Sequence, residues 1–277
     1  MGEKRPSDGS SFTLPVITST QNPRIRHLLL LRQKSSQRRK DGLFVVEGRR
    51  EVERCLEAGF TLRTAFVCEE IADVTLPFAE RTETVHVSPD IYERIAYRGS
   101  TEGIVAVVEE RRCSLRDLRL SASPLIVALE HVEKPGNLGA VLRSADAAGA
   151  DAVIVCDPLT DLFNPNIIRS AVGAAFTVPC VACSTEECIG FFREKGIRIL
   201  TAQLQDSKPY YDTPMTEGTA IVVGTEQTGL TEQWRRAADA HIRIPMLGRS
   251  DSLNVSVSAA ILLFEAVRQR QTQVSEK

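Results

Sequence analysis

Residues 244–260 read IPMLGRSDSLNVSVSAA, and this stretch says most about the fold. It begins as the end of a strand, passes through a loop rich in Pro, Gly, Ser and Asp, and reaches SLN at residues 252–254, where a long amphipathic helix starts. A connection that only joins two elements needs turn-forming residues and little else. Because this loop carries more specific polar chemistry than that, we interpret it as a binding loop.

Two segments upstream share the character of this loop. One reads NLGAVLR at residues 137–143, and the other reads GTEQTG at residues 224–229. Each follows an apolar, strand-like run. Short, nearly continuous apolar strands separated by helices are typical of a parallel sheet that is covered on both faces. The sequence therefore predicts an α/β fold in which three polar loops converge at one edge of such a sheet.

Together these segments resemble the SpoU/TrmH family of RNA ribose 2′-O-methyltransferases, in the SPOUT superfamily. The resemblance covers about residues 124–270, with the motifs in the family's order and spacing. A fourth segment, NPNIIRSAVG at residues 164–173, is similar to the family's segment between the first two motifs. The resemblance implies a C-terminal parallel-sheet domain with a deep trefoil knot, which composition alone does not suggest. It also implies a homodimer formed through that domain.

The resemblance implies a site in which polar side chains lie beside loops that wrap S-adenosylmethionine (SAM). Methyl transfer to a ribose hydroxyl needs alignment of the hydroxyl, exclusion of water and help in removing its proton. Glycine-bearing loops suit the cofactor, because a backbone approaches a ligand closely where no Cβ intervenes. The catalytic residues implied are Arg143, Asn137, Glu226 and Asn254. The cofactor contacts implied are Gly224, Ile244, Leu253, Thr201, Ala202, Met246 and Ser252.

Each polar residue also has a plain structural interpretation. Asn137 can cap a helix, Arg143 can be an ordinary surface arginine, and Asn254 can bind the start of the last helix. Glu226 can be a turn carboxylate near positive backbone ends. In the family, the arginine is often given the role of a general base. A guanidinium keeps its proton in proteins, so we prefer a clamp on the neighbouring phosphate.

The composition describes a globular protein large enough for two domains. The chain has 277 residues, with 43% hydrophobic and 25% charged residues. No apolar run reaches the roughly 20 residues that span a membrane, and the N-terminus lacks the apolar core of a signal peptide. These features predict a cytoplasmic protein.

The positive charge is concentrated near the N-terminus, although the whole chain has a net charge of −2. Residues 21–50 contain nine Lys or Arg and two acidic residues, a local net charge of +7. A run of this kind is often only a solvated helix face. Beside an RNA enzyme it predicts contacts with phosphates. The RNA-binding candidates are Arg24, Arg26, Arg32, Lys34, Arg38, Arg39 and Lys40.

The seven cysteines are scattered through the chain, which argues against a disulfide framework. Cys180 and Cys183 have C-x-x-C spacing, but no second pair or matching histidines follow. A zinc site needs such further ligands. The sequence therefore predicts no metal site and a packing role for this pair.

The pattern of elements divides the chain into four parts. We predict a disordered lead-in (1–18), an RNA substrate-binding domain (19–109), a linker (110–123) and a SPOUT methyltransferase domain (124–277). The opening at residues 18–50 is similar to the N-terminal substrate-binding domain of many SpoU-type enzymes. Helices are predicted at 21–39, 49–58 and 138–148, the last of them after a first strand at 125–129. Further strands are predicted at 43–47, 62–68, 84–87, 103–109, 152–156, 197–202, 220–223 and 241–244.

The sequence thus predicts a SAM-dependent RNA 2′-O-methyltransferase. Ribosomal RNA is favoured, because a basic N-terminal domain is commonest in that branch of the family, and transfer RNA comes second. A non-catalytic RNA-binding protein of the same fold remains an alternative. A Rossmann-type or P-loop nucleotide site is excluded, since neither glycine motif occurs. Apolar residues in the last helix predict either the dimer interface or packing on its own sheet; they are Val255, Ala259, Leu262, Leu263 and Ala266.

Overall fold

The computed structural model describes residues 15–72, 82–97, 102–225 and 228–275. The part before residue 110 forms one sheet with its helices. Its strands are β1 (Val16–Ile17), β2 (Leu43–Glu47), β3 (Leu62–Val67), β4 (Glu83–Val87) and β5 (Ile104–Glu109). Its helices are α1 (Pro23–Gln33), α2 (Ser35–Asp41), α3 (Arg49–Glu57) and α4 (Pro89–Ile95).

This first sheet is mixed, with the order β1-β4-β3-β5-β2. Strands β1, β4 and β3 pair in parallel, and β5 runs antiparallel to both β3 and β2. The assignment of residues 1–18 to a disordered lead-in is wrong at its end, since Val16 and Ile17 pair with His86 and Val87. Two β-branched residues suit an edge strand of this kind. Residues 1–14 of the lead-in lie outside the described part of the chain.

The basic helix predicted over residues 21–39 is two helices instead of one. The break falls at Lys34, whose backbone is extended with φ −117° and ψ 114°. Two serines follow this residue, and serine favours helix starts over helix interiors. The start of α1 is fixed by Asn22, whose side chain accepts a hydrogen bond from the backbone N–H of Arg24 at 2.9 Å. Across the break, Arg38 of α2 donates back to the backbone of α1 at Leu31 O and Arg32 O.

The second sheet is larger and contains residues from 125 onwards. Its strands are β6 (Leu125–Glu130), β7 (Ala152–Cys156), β8 (Cys180–Cys183), β9 (Arg198–Ala202), β10 (Lys208–Pro209), β11 (Thr219–Val223) and β12 (Ala240–Arg243). The helices are α5 (Pro135–Ala147), α6 (Pro165–Ala171), α7 (Ala174–Thr177), α8 (Thr185–Glu194), α9 (Glu232–Ala237) and α10 (Val255–Ser275). Short 3-10 turns occur at Leu115–Asp117, in the predicted linker, and at Tyr210–Asp212.

All neighbours in this sheet pair in parallel, in the order β10-β12-β9-β11-β6-β7-β8. Alternate residues of β6 face opposite layers, as the pleat requires. Leu125, Val127 and Leu129 pack with α5 and α10, while Ile126 and Ala128 pack with α8 and α9. The prediction of a parallel sheet covered on both faces is confirmed. The carboxyl ends of β9, β11 and β12 consequently meet at one edge.

The last helix, α10, packs its apolar residues on its own sheet. Ala259, Leu262, Leu263 and Ala266 are fully buried there, and Val255 is nearly so. These five side chains are therefore not available to a partner chain, because they already fill the core beside α5. None of the described helices combines the length and apolar character needed to cross a bilayer.

The two sheets share an apolar core where they meet. Phe44 of β2 stacks on Phe163 with ring centroids 4.5 Å apart, and Ile168 of α6 and Phe176 of α7 join the same cluster. Beside it, Arg38 Nε donates to Asp161 Oδ2 at 2.6 Å. This junction brings Arg38 of α2 next to Asp161, three residues before the segment at residues 164–173.

Candidate functional site

The loops after β9, β11 and β12 converge, and they enclose a cavity of about 360 Å³. Six of the seven cofactor candidates line it: Ala202, Gly224, Ile244, Met246, Ser252 and Leu253. Val223 and Leu230 supply an apolar floor between them. The arrangement follows from the parallel sheet, since the polar loops all leave its carboxyl edge. We call this space the loop cavity.

Gly224, Thr225, Thr228 and Gly229 line one wall of the loop cavity, and this wall depends on glycine. A Cβ on Gly224 would fall on the carbonyl group of Gly229 and lie 2.7 Å from the backbone nitrogen of Leu230. Thr225 and Gly229 form an antiparallel bridge, and the Thr225 hydroxyl accepts a hydrogen bond from the N–H of Thr228 at 3.1 Å. Only a residue without a side chain allows this close approach of two backbone segments.

A second cavity, of about 320 Å³, lies directly beside the first. Its lining includes five charged or polar residues: Glu130, His131, Glu133, Lys134 and Asn137. The two cavities share a wall made by Gly224, Thr225, Thr228 and Val255. We call the second space the polar cavity. An apolar-floored loop cavity that adjoins a charged one can hold two ligands side by side.

Two motif residues meet at the edge of the polar cavity. Asn254 Nδ2 donates to Asn137 Oδ1 at 3.1 Å. Asn254 Oδ1 in turn accepts from the backbone N–H of Ser256 at 3.0 Å and from its hydroxyl at 2.6 Å. Asn254 therefore both holds the start of α10 and orients Asn137, so its structural and functional interpretations are compatible.

The capping role considered for Asn137 is wrong. Helix α5 begins at Pro135 with Lys134 as its N-cap, and Asn137 lies inside the first turn. Proline is well suited to the first helical position, which is why the helix starts three residues before the predicted one. Asn137 therefore does not cap the helix, and its side-chain oxygen accepts a hydrogen bond from Asn254.

Gly139 of the same motif has a packing role. A Cβ there would collide with the hydroxyl of Ser170 and lie 2.9 Å from Ile167 O and Ala171 N. Helices α5 and α6 thus approach each other as closely as backbones can. The first motif and the segment at residues 164–173 are joined through this contact.

The structure places one other catalytic candidate, Arg143, away from the cavity walls. Arg143 is exposed on α5, six residues beyond Asn137, and lines neither cavity. It has no ion-pair or hydrogen-bond partner among the residues that the structure describes. Glu226 lies outside the described residues. Arg143 is therefore a solvent-facing cation at the rim and not a lining residue.

Thr201 is also set back from the loop cavity. It is completely buried, and its hydroxyl lies 2.6 Å from His241 Nδ1. This hydrogen bond joins β9 to β12, which pair through Thr201 and His241. Thr201 therefore does not line the loop cavity, and its hydroxyl joins two strands instead.

Sequence reasoning missed two polar residues of the loop cavity. Gln203 and Arg235 both line it, and Gln203 Oε1 and Arg235 Nε are buried without a hydrogen-bond partner among the described residues. Buried polar atoms are normally paired, so these two fit a polar ligand in the cavity. Gln203 follows β9 directly, and its place at a strand end is a signal that could have found it. Arg235 lies within α9, where the sequence gives no such signal.

Comparison with known proteins agrees with this arrangement. Residues 124–264 match the model of the SpoU rRNA Methylase family, and residues 22–106 match that of an MRM3-like substrate binding domain. The chain belongs to the SpoU rRNA methylase family. The predicted resemblance is thus confirmed.

Curated relatives of this methylase cover most of its length. It is 29% identical over 248 residues to the 23S rRNA (guanosine(2553)-2′-O)-methyltransferase RlmP of Bacillus subtilis (strain 168), a match that covers 90% of this chain and 97% of the relative. It is 39% identical over 181 residues to the 23S rRNA (guanosine-2′-O-)-methyltransferase RlmB of Vibrio vulnificus (strain CMCP6), covering 63% and 73%.

A solved structure extends the likeness to the cofactor. The AdoMet-bound rRNA methyltransferase from Sinorhizobium meliloti is similar with a TM-score of 0.83 and 31% identity, covering 92% of this chain and 97% of that one. AdoMet is SAM. The family and this neighbour identify SAM as the cofactor of the methylase.

The basic residues of the N-terminal half differ in their availability to RNA. Arg38 is an incorrect candidate, since it is 4% exposed, pairs with Asp161, and donates to Leu31 O at 2.6 Å. Arg32 is largely engaged as well, because it donates to Ile95 O at 2.6 Å. Arg24 forms an exposed ion pair with Glu83 at 2.6 Å. The remaining candidates are exposed: Arg26, Lys34, Arg39 and Lys40.

Proposed function

We propose that this methylase transfers a methyl group from SAM to a ribose 2′-hydroxyl of 23S rRNA. The observation that carries the proposal is the shared wall between the loop cavity and the polar cavity, at Gly224 and Thr225. A methyl donor in the first and a ribose in the second would lie on either side of that wall. The relatives RlmP and RlmB, whose names specify 23S rRNA, support the choice of substrate.

The residues of the loop cavity fit SAM. Loops with an apolar floor can enclose an adenosine, and the unpaired Arg235 Nε and Gln203 Oε1 can pair with the polar groups of the amino-acid end. The backbone around Gly224, Ile244 and Leu253 would hold the remainder. When bound, SAM supplies an electrophilic methyl group on a sulfonium.

The polar side chains would position the RNA. The hydrogen-bonded pair of Asn137 and Asn254 stands at the edge of the polar cavity, where it can orient the ribose. Arg143, exposed and unpaired among the described residues, would grip the adjoining phosphate with two parallel hydrogen bonds. Glu226, two residues after Gly224 in the sequence, completes the proposed set.

The proposal includes two finer points about the fold and the assembly. The resemblance to the family supports a trefoil knot in the C-terminal half and a homodimer formed through it. Val257 and Phe264, exposed on α10 seven residues apart, lie on one face and are available for such an interface. Light scattering on the purified chain tests the dimer, and a monomer at assay concentration contradicts it.

The N-terminal half is proposed to select the substrate. We assign residues 19–109 to RNA binding, residues 110–123 to a linker, and residues 124–277 to methyl transfer. The exposed residues Arg26, Lys34, Arg39 and Lys40 are the proposed phosphate contacts. The cytoplasm is the proposed location, since bacterial relatives such as RlmP and RlmB act on ribosomal RNA, which is made there.

The test is transfer of labelled methyl groups from SAM to unmodified rRNA and tRNA pools, with the products digested to nucleosides and identified by mass. We expect a 2′-O-methylnucleoside from the rRNA pool. The same product from tRNA alone contradicts the substrate. Binding of RNA without SAM binding contradicts the enzyme and favours the non-catalytic alternative.

A further inference from the structure

Three cysteines meet on the sheet face opposite α5 and α10, outside both cavities. Cys156 ends β7, Cys183 ends β8, and Cys188 lies in the first turns of α8. Their three sulfur atoms all lie within 4.8 Å of one another. No other group of three or more His, Cys, Asp or Glu with this proximity occurs in the described part of the chain.

The convergence follows from strand register and from the start of a helix. Cys156 and Cys183 are direct partners in the parallel pairing of β7 with β8, so their side chains leave the same face. Ser184, which comes next, caps α8, and the N–H of Cys188 donates to Ser184 O at 3.1 Å. The first turns of the helix thereby bring Cys188 back over the two strands.

The C-x-x-C spacing noticed in the sequence has a different meaning in the fold. Cys180 and Cys183 are three positions apart on one strand, so their side chains lie on opposite faces. Cys180 packs against the core that contains α5, whereas Cys183 packs against the core that contains Cys156 and Cys188. Cys180 therefore has the predicted packing role. Cys183 belongs to the cluster, which no sequence spacing reveals.

Solvent reaches the cluster from one side. Cys156 and Cys188 are completely buried, and Cys183 is partly exposed. The three sulfur atoms therefore lie close enough to bind one ion, which would enter past Cys183.

We propose that Cys156, Cys183 and Cys188 form a three-thiolate site for a soft metal ion such as Zn²⁺ or Cu(I). Thiolate ligands select these ions over Mg²⁺ or Ca²⁺. Tetrahedral Zn–S bonds of about 2.3 Å require sulfurs about 3.8 Å apart, which the cluster reaches by small rotations of the side chains. On binding, the thiols release their protons to solvent past Cys183, and a water completes a zinc site from that side.

The site would connect three elements of the methylase half. Cys156 pairs in register with Glu130 of β6, and Cys156 O accepts a hydrogen bond from the N–H of His131 at 3.0 Å. Glu130 and His131 both line the polar cavity. An ion at the cluster would therefore stiffen the wall of that cavity, by fixing β7, β8 and α8 together. The proposal stands independently of methyl transfer.

The experiment uses the full-length protein, reduced with a phosphine, stripped with a chelator and kept free of oxygen. Zn²⁺ or Cd²⁺ alone is then titrated in, with native mass spectrometry for stoichiometry and ultraviolet thiolate-to-cadmium absorption for the ligands. We expect about one ion per chain and a higher melting temperature on binding. The Cys183→Ser variant, changed at the partly exposed position, should bind about 100-fold more weakly.

Cys180→Ser is the matched control, because it changes the same strand on the opposite face. It should bind the ion as the wild type does. Alkylation of the wild type adds a readout that needs no variant: the ion should protect Cys183 and leave Cys113 as reactive as before. A reduced wild type that binds no ion, equal losses in both variants, or no protection of Cys183 would each overturn the proposal.

Discussion

Arg38, beside the smaller sheet, and Arg143, on the larger one, both have a guanidinium group, but the first is buried and the second is exposed. Arg38 comes from the most basic part of the sequence, yet it is buried against Asp161 at the junction of the two sheets. Arg143 comes from a segment without a charge run, yet it is exposed and unpaired among the described residues. The density of charge in a sequence does not decide which arginine meets a ligand. The strands and helices around each residue decide it.

The largest expected effect is on stability, from Arg38→Ala. The change leaves the Asp161 carboxylate without its partner in a buried junction, which costs about 3–5 kcal/mol of unfolding free energy. Urea denaturation of the two proteins measures the difference. The neighbouring exposed residue gives the control, since Arg39→Ala should leave the midpoint nearly unchanged. Equal stability of the two variants would remove the contrast between buried and exposed arginines.

The second-largest effect is expected from Arg143→Ala, which should lower the turnover number. Loss of a phosphate clamp should lower the turnover number about 100- to 1000-fold, comparable to removing one catalytic hydrogen-bond donor. SAM affinity, measured by calorimetry, should stay at the wild-type value, because Arg143 lines neither cavity. Arg236→Ala is the control, an exposed arginine of α9 in an ion pair with Glu232.

Lysine at position 143 separates the two roles that the resemblance leaves open for this arginine. A clamp needs positive charge and tolerates a point charge in part, so Arg143→Lys should recover some of the lost turnover. If Arg143 is a general base, the pH–rate profile of Arg143→Lys should be shifted relative to that of the wild type. Near-normal turnover in Arg143→Ala would end both interpretations.

A smaller effect, on SAM affinity, is expected from Gly224→Ala. The added methyl group has no room beside the carbonyl of Gly229, and overpacking strain of about 1–3 kcal/mol should weaken SAM binding roughly 10- to 100-fold. Gly136→Ala is the control, because a Cβ there meets nothing within 4 Å. Calorimetry measures both. If the two variants bind SAM equally, the turn at residues 224–229 does not shape the cofactor site.

Most of the larger sheet could be predicted from its sequence because its strands are short apolar runs with distinctive polar loops. The position of β7 came from a local apolar pattern, whereas the loop residues Gly224 and Ile244 came from the resemblance to the SpoU/TrmH family. Arg38 and Thr201 could not be placed in this way. Arg38 is hydrogen-bonded to Asp161, and Thr201 is hydrogen-bonded to His241. These partners lie far away in the sequence, so no local pattern identifies them.

The same limit explains what was missed at the cavity and in the cysteine cluster. Arg235 reaches the loop cavity from a helix face, and Cys156 meets Cys183 through strand register. Both depend on three-dimensional packing between segments of the chain. Spacing in sequence draws attention only to Cys180 and Cys183, for which a packing role was predicted, and the strand places these two on opposite faces.

The smallest expected effect concerns the exposed cations of α2, and it completes the contrast with Arg38. If each residue contacts one phosphate, Arg39→Ala and Lys40→Ala should each weaken RNA binding about fivefold. Each should also reduce the slope of log affinity against log salt concentration by about one. Filter binding over a salt series measures both quantities. Lys195→Ala, an exposed cation at the end of α8, is the control and should change neither. An unchanged salt slope in both α2 variants would show that the charge run at residues 21–50 is only a solvated surface, with the RNA held by the larger sheet alone.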